Sequence, residues 1–192
     1  MITPEISVNT IGWSPGQRAD LLRAFVKEYD CEKDFPWKEL LCSDFFQAPA
    51  STKYHGAYEG GLFDHSMNVA NALCYFTSAE LTDPWLRPES PLLIGVLHDI
   101  CKIGKYAKNS TGDGFVWKPI NDFPVYGGHG AESLIRAQQW MHLTEEESMC
   151  IRFHMGAYEK DDWEAYDLAI KRYPNVLWTH TADMAASKLL EI

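Results

Sequence analysis

The sequence predicts an all-α fold, with room for one small β-hairpin, from three observations. Helix-start signals recur along the chain, apolar residues at helical spacing follow them, and the aromatic segments that could form strands are confined to residues 104–128. Ser14-Pro15-Gly16-Gln17 reads as an N-cap, a proline at N1 and a capping-box glutamine ahead of Leu21, Leu22, Phe25, Val26 and Tyr29, which predicts a helix over about 15–29. A mixed, aromatic-rich stretch leads to Gly60-Gly61. Beyond it Leu62, His65, Val69, Leu73 and Phe76 share one face of a second helix, so His65 points inward. A Pro-rich linker over 82–91 ends in Ser90-Pro91, and residues 92–103 read as a short, strongly buried helix that carries His98, Asp99 and Lys102. In the loop that follows, Phe115-Val116-Trp117 and Val125-Tyr126 could pair as the hairpin. Helices resume at about 129–141, at 145–155 behind a Thr144-to-Glu147 capping box, at 161–172, and from Pro174 onward.

The 192 residues, 46% of them apolar, suit one domain with a real core. Seventeen basic against twenty-seven acidic residues give a formal charge of −10, which repels polyanions and argues against an extended duplex nucleic acid as partner. A phosphate substrate would have to be drawn in locally, by metal ions and a few placed lysines. Five cysteines, odd in number, widely spaced and without a Cys-x-x-Cys pair, fit a reducing cytoplasm better than a disulfide framework. No basic leader precedes an apolar run, and no stretch approaches the roughly 18 apolar residues that span a bilayer, so neither export nor membrane insertion is expected.

Five motifs sit on or at the ends of the expected helices: Gly60-Gly61-Leu62-Phe63-Asp64-His65, Leu97-His98-Asp99-Ile100-Cys101-Lys102, Gly127-Gly128-His129-Gly130, Arg152-Phe153-His154-Met155-Gly156, and Thr179-His180-Thr181-Ala182-Asp183. Imidazole nitrogens and carboxylate oxygens suit zinc, manganese, iron, cobalt or nickel, and helices far apart in sequence can converge on such a centre. Two ionisable groups directly after the apolar run Leu92–Leu97 are costly to bury, and a metal ion would offset that cost. Taken alone, the His98-Asp99 pair fits equally well a helix C-terminal turn that reaches solvent.

The ordered set His65, His98-Asp99, His129, His154 and Asp183, with Lys102 three residues after the aspartate, resembles the signature of the HD superfamily of metal-dependent phosphohydrolases over roughly residues 53–190. The segment Lys53-Tyr54-His55 followed by Gly60-Gly61-Leu62 and His65 is similar to the HD domains of bacterial 3′-to-5′ exoribonucleases and of small phage or gut-bacterial hydrolases. The resemblance implies a helical HD bundle over about 53–190 behind an N-terminal helical extension of about 1–50. It implies that His65, His98, Asp99 and Asp183 hold one divalent ion and His129 and His154 a second, with Asp99 bridging. Four neutral imidazoles and two carboxylates would leave about +2 on a two-ion centre, which suits a phosphate and its transition state. A metal-activated water would then cleave a phosphate ester of a nucleotide or short oligonucleotide, with Asp99 and Lys102 as the catalytic pair and Lys102 clamping a non-bridging oxygen. Because ligating imidazoles must be neutral, activity should fall in acid.

Other positions stay open at this level. His55 and Lys53 read as contacts at the substrate entrance or as surface loop, and Lys105 as a phosphate contact or a solvated lysine at a helix end. His180 shares a face with Asp183 and reads either as its supporting partner or as a core histidine. His142 reads as structural. Cys101 follows the opposite periodicity to Asp99, which favours packing, and Trp117 reads as a loop anchor or a platform for a base. Gly56, Phe153 and Cys101 depart from the residues frequent in the family without removing a ligand. A cyclic-di-GMP phosphodiesterase and an alarmone hydrolase are disfavoured, because the Gly-Tyr-Pro and Glu-Asp elements of those relatives are missing. An exonuclease acting with a partner, a di-iron oxygenase on the same ligands and a non-catalytic metal-binding module are the alternatives. The sequence says nothing of oligomeric state.

Overall fold

A computed structural model describes residues 7–78, 84–112, 114–120, 127–157 and 162–190. Among them are eight α-helices, one 3₁₀ turn and one two-stranded sheet: α1 (Pro15–Glu28), α2 (Trp37–Leu41), α3 (Gly61–Thr77), α4 (Ser90–Leu97), the 3₁₀ turn Ile100–Lys102, β1 (Tyr106–Thr111), β2 (Gly114–Pro119), α5 (His129–Trp140), α6 (Glu145–Arg152), α7 (Trp163–Arg172) and α8 (Asn175–Lys188). The mainly helical class with a hairpin is therefore as the sequence predicts. Both capping boxes form: Ser14 Oγ accepts from the Gln17 amide and Thr144 Oγ1 from the Glu147 amide, and each partner side chain accepts from the cap amide in return.

Helix α3 is the centre of the packing. Residues 61–70 are buried on all sides, and α3 packs most extensively against α4 and α8. The approach of α4 is close because Gly95 has no side chain; a Cβ there would lie 2.5 Å from the Ala70 Cβ. The core runs through Leu62, Phe63, Met67, Leu73, Ile94 and Leu97, with Phe45 and Phe46 set edge-on or tilted against Phe63.

The N-terminal region is tied into this core by polar bonds. The buried Arg18 guanidinium donates to Thr10 Oγ1 at 2.7 Å and to the carbonyls of Thr10, Phe46 and Glu59 at 3.0, 3.0 and 2.8 Å. Thr10 in turn donates its amide and hydroxyl to the two oxygens of Asp64, at 2.8 and 2.6 Å, and Tyr58 donates to the same carboxylate at 2.8 Å. Asp64 is the residue before His65, so this network fixes the first turn of α3. Gly60, in the left-handed region at φ +89°, lets Arg18 pass; a Cβ would sit 2.2 Å from the guanidinium carbon.

Three sequence expectations change. The buried helix does not run from 92 to 103: α4 ends at Leu97, the Asp99 backbone leaves helical geometry at φ −118°, ψ 18°, and a 3₁₀ turn follows. Phe115-Val116-Trp117 does pair, but with Lys108–Ser110 rather than with Val125-Tyr126, which lie outside the described residues. Only residues 112 and 113 separate β1 from β2, and so short a connection favours pairing with the nearest strand. The short helix α2 carries no strong start signal, as its cap Pro36 offers no side-chain acceptor. Among the described residues no helix is long and apolar enough to cross a membrane.

Candidate metal centre

Five pieces of the bundle bring their ionisable residues to one point, buried on every side but that of the half-exposed His129. The first turns of α3 supply His65, the break after α4 supplies His98 and Asp99, the start of α5 supplies His129, the end of α6 supplies His154, and the middle of α8 supplies Asp183. Two local devices recur. His98 and His154 each lie just past a helix end, and each donates its Nδ1–H to the carbonyl three residues back, Gly95 and Ile151, at 2.8 Å. A carbonyl only accepts, so these bonds fix the tautomer and leave the Nε2 lone pair of each ring facing the centre. The start of α5 meets the end of α6 closely because Gly130 has no Cβ; one there would lie 1.9 Å from the Arg152 carbonyl oxygen.

Asp99 is the hub. Its Oδ2 lies 3.6 Å from Nε2 of both His65 and His98, while its Oδ1 lies 3.7 Å from His154 Nε2 and 3.8 Å from His129 Nδ1. Asp183 Oδ1 closes the first side, 3.1 Å from His65 Nε2 and 3.9 Å from His98 Nε2, and the two Nε2 atoms are 3.2 Å apart. Ligands at about 2.0–2.2 Å around one ion are separated by about 3–3.5 Å; the two edges of the His65–His98–Asp183 group that meet at His65 fall in that range, and the His98–Asp183 edge is longer. His154 Nε2 is fully buried without a hydrogen-bond partner among the described residues, an arrangement a divalent ion would satisfy. Among the described residues three groups could hold an ion: His65, His98 and Asp183; His98, Asp99 and His154; and Asp99, Cys101 and His129. His129 and His154 thus gather in separate groups that share Asp99.

Charge follows geometry. Burial drives His98 down to about 3, so its ring is neutral. Burial opposes the charge on Asp99, yet Lys102, with its Nζ 2.5 Å from Oδ2, outweighs it and holds the carboxyl well below the usual carboxylate range. Asp183 is likewise held down, against its burial, by the hydrogen bond with His65. Lys102 is buried but kept above its ordinary value by Asp99. His129, half-exposed, is raised to about 10 by Asp99 and Cys101.

Around this centre the remaining candidates separate. The His55 ring stands 4.9 Å from that of His65, its Nδ1 is buried without a hydrogen-bond partner among the described residues, and burial lowers it to about 4. Lys53 is exposed, and Lys105 is engaged by Glu132. His180 donates to the His154 carbonyl at 2.8 Å, so it buttresses the backbone of a candidate ligand rather than Asp183. Cys101 departs from its expected orientation: it is fully buried, but the break at Asp99 and the 3₁₀ turn bring its sulfur to 3.8 Å from Asp99 Oδ1 and 3.7 Å from His129 Nδ1. Helical periodicity misplaced it because the helix it presumes has already ended.

Comparison with known proteins returns no match: no family model fits the chain, and no curated protein or solved structure is detectably similar to it.

Proposed function

We propose that this protein is a metal-dependent phosphohydrolase of the HD type, cleaving a phosphate ester of a nucleotide or short oligonucleotide. The observation that carries the reading is Asp99, a buried carboxylate whose two oxygens face two different sets of nitrogen donors, the arrangement needed to bridge two cations. Bound divalent ions would supply Lewis-acid charge and an acidified water at the phosphate. The chain's own residues do the rest. His98 and His154 present lone pairs fixed by backbone carbonyls, and Asp99 and Asp183 stay ionised at neutral pH. Lys102 spends one of three N–H donors on Asp99, which leaves donors for a phosphate oxygen. A cavity of about 210 Å³ opens at His129, lined by Gly127, Gly128, Arg152 and Phe153; it favours a small substrate, as does the charge of −10.

The test is metal content by elemental analysis together with manganese-supported hydrolysis of bis-p-nitrophenyl phosphate and a nucleotide panel, for the wild type and Asp99→Ala. About two ions per chain, with turnover reduced at least about 10²-fold in the variant, is the expected result. Protein that takes up no metal and hydrolyses no phosphate ester would overturn the proposal.

A further inference from the structure

We infer that Cys101 is a metal ligand, completing with Asp99 and His129 a sulfur-containing half of the centre that favours a thiophilic ion such as zinc or cobalt over magnesium or manganese. The inference rests on the proposed metal centre and adds to it a donor that carboxylate and imidazole chemistry does not supply.

The first support is distance. With metal–sulfur bonds of about 2.3 Å and metal–nitrogen or metal–oxygen bonds of about 2.0–2.2 Å, tetrahedral ligands place sulfur about 3.6 Å from its neighbours. The Cys101 sulfur is 3.7 Å from His129 Nδ1 and 3.8 Å from Asp99 Oδ1, and His129 Nδ1 is 3.8 Å from Asp99 Oδ1, a triangle of nearly equal edges. The second support is position. Asp99 ends the helical run, the 3₁₀ turn begins at Ile100, and the Cys101 amide donates to the buried Ser133 hydroxyl on α5 at 3.1 Å. That bond ties Cys101 to the helix that begins with His129, so the two donors are held on one frame. The third is need. His154 groups with His98 rather than with His129, so among the described residues the His129 half has only Asp99 and Cys101 beside it. Binding would release the thiol proton to solvent as the metal–sulfur bond forms, with no change of oxidation state. A soft thiolate then selects for zinc or cobalt, whereas an all-oxygen and nitrogen half would accept manganese readily.

Cobalt(II) titration of the full chain reads the ligand directly. The expected result is a near-ultraviolet sulfur-to-cobalt charge-transfer band in the wild type that is lost in Cys101→Ser, while the weaker visible bands of the remaining cobalt persist. The exposed Cys42 is replaced by serine in both proteins so that it cannot contribute. Should Cys101→Ser fail to fold, X-ray absorption of the zinc-loaded Cys101 protein still decides, through a sulfur shell at about 2.3 Å. Bound cobalt without the band, a band that survives Cys101→Ser, or zinc with nitrogen and oxygen neighbours alone overturns the ligation and leaves the metal centre standing. No uptake of either metal overturns both.

Discussion

At the scale of single residues, Lys102 is the group whose contribution can be separated from metal binding. It is buried, it touches Asp99 Oδ2 at 2.5 Å, and it keeps its charge because of that contact. In the proposed reaction it stabilises negative charge on a phosphate oxygen, a contribution usually of about 10²-fold when one such donor is removed. Lys102→Met should therefore lower kcat by about that factor while metal content measured by elemental analysis stays at the wild-type level. Loss of metal and activity together would instead make Lys102 a partner of the carboxylate only. The sequence reading reaches Lys102 readily, because three residues from Asp99 is a neighbouring position in any helical turn. It misses the orientation of Cys101, two residues from Asp99, because that depends on where the helix stops, and no proline or glycine marks the stop.

At the scale of elements, the centre depends on how closely helices meet. Gly95→Ala would set a Cβ 2.5 Å from the Ala70 Cβ and 2.7 Å from its Cα, so α4 must move away from α3. Overpacking of this kind costs about 1–3 kcal/mol, or about 3–10 °C of melting temperature in a chain of this size. Because Gly95 lies three residues before His98 and Ala70 five after His65, the same movement separates the two Nε2 atoms now 3.2 Å apart. Metal affinity measured by calorimetry should fall along with the thermal midpoint. An unchanged midpoint would mean that the helix pair can absorb a methyl group.

A second element-level contact links the start of α6 to the start of α4. The fully buried Glu147 carboxylate accepts from Arg87 Nε at 3.0 Å, the Ser90 hydroxyl at 2.7 Å and the Thr144 amide at 2.8 Å. Burial alone would raise this carboxyl, but these donors, Arg87 foremost, hold it below its ordinary value of 4.5. A carboxyl lower in the folded than in the unfolded state adds stability above the unfolded value and gives it up as pH falls through the folded one. Glu147→Gln should cost about 2–3 kcal/mol at pH 7, less than a wholly buried pair since Arg87 is 25% exposed, and the gap from wild type should narrow below about pH 4.5. Urea melts of both proteins at the two pH values check it; a gap that does not change with pH would count against the ionised pair. The capping box here is plain in Thr144 and Glu147, whereas the partnership with Arg87, 60 residues away, has no local signal.

At the scale of the whole molecule, the centre joins α3, α4, α5, α6 and α8, so whatever occupies it belongs to the stability of the fold. An ion present at about 100 times its dissociation constant adds about 2.7 kcal/mol. Chelation should lower the melting temperature by about 5–10 °C, reversibly on adding back metal. A scan indifferent to chelator would separate fold from metal. The mainly helical class is legible because capping boxes and helical spacing are local patterns, whereas of the converging residues periodicity alone turns only His65 inward, and the rest are reached through the ordered motifs and the resemblance they carry. How those residues divide among groups is not legible, since that follows from contacts between elements far apart in the chain.

The Arg18 network gives the N-terminal region a share in this assembly. A fragment cut at residue 50 would retain every candidate ligand, yet it would lose both the guanidinium that links Thr10 to Phe46 and Glu59 and the threonine that grips Asp64. With them goes whatever aims the neighbouring His65. The border between an accessory extension and a chemical unit, natural to draw on paper, is crossed by one side chain that belongs to both. A fragment that keeps this network whole begins ahead of Thr10.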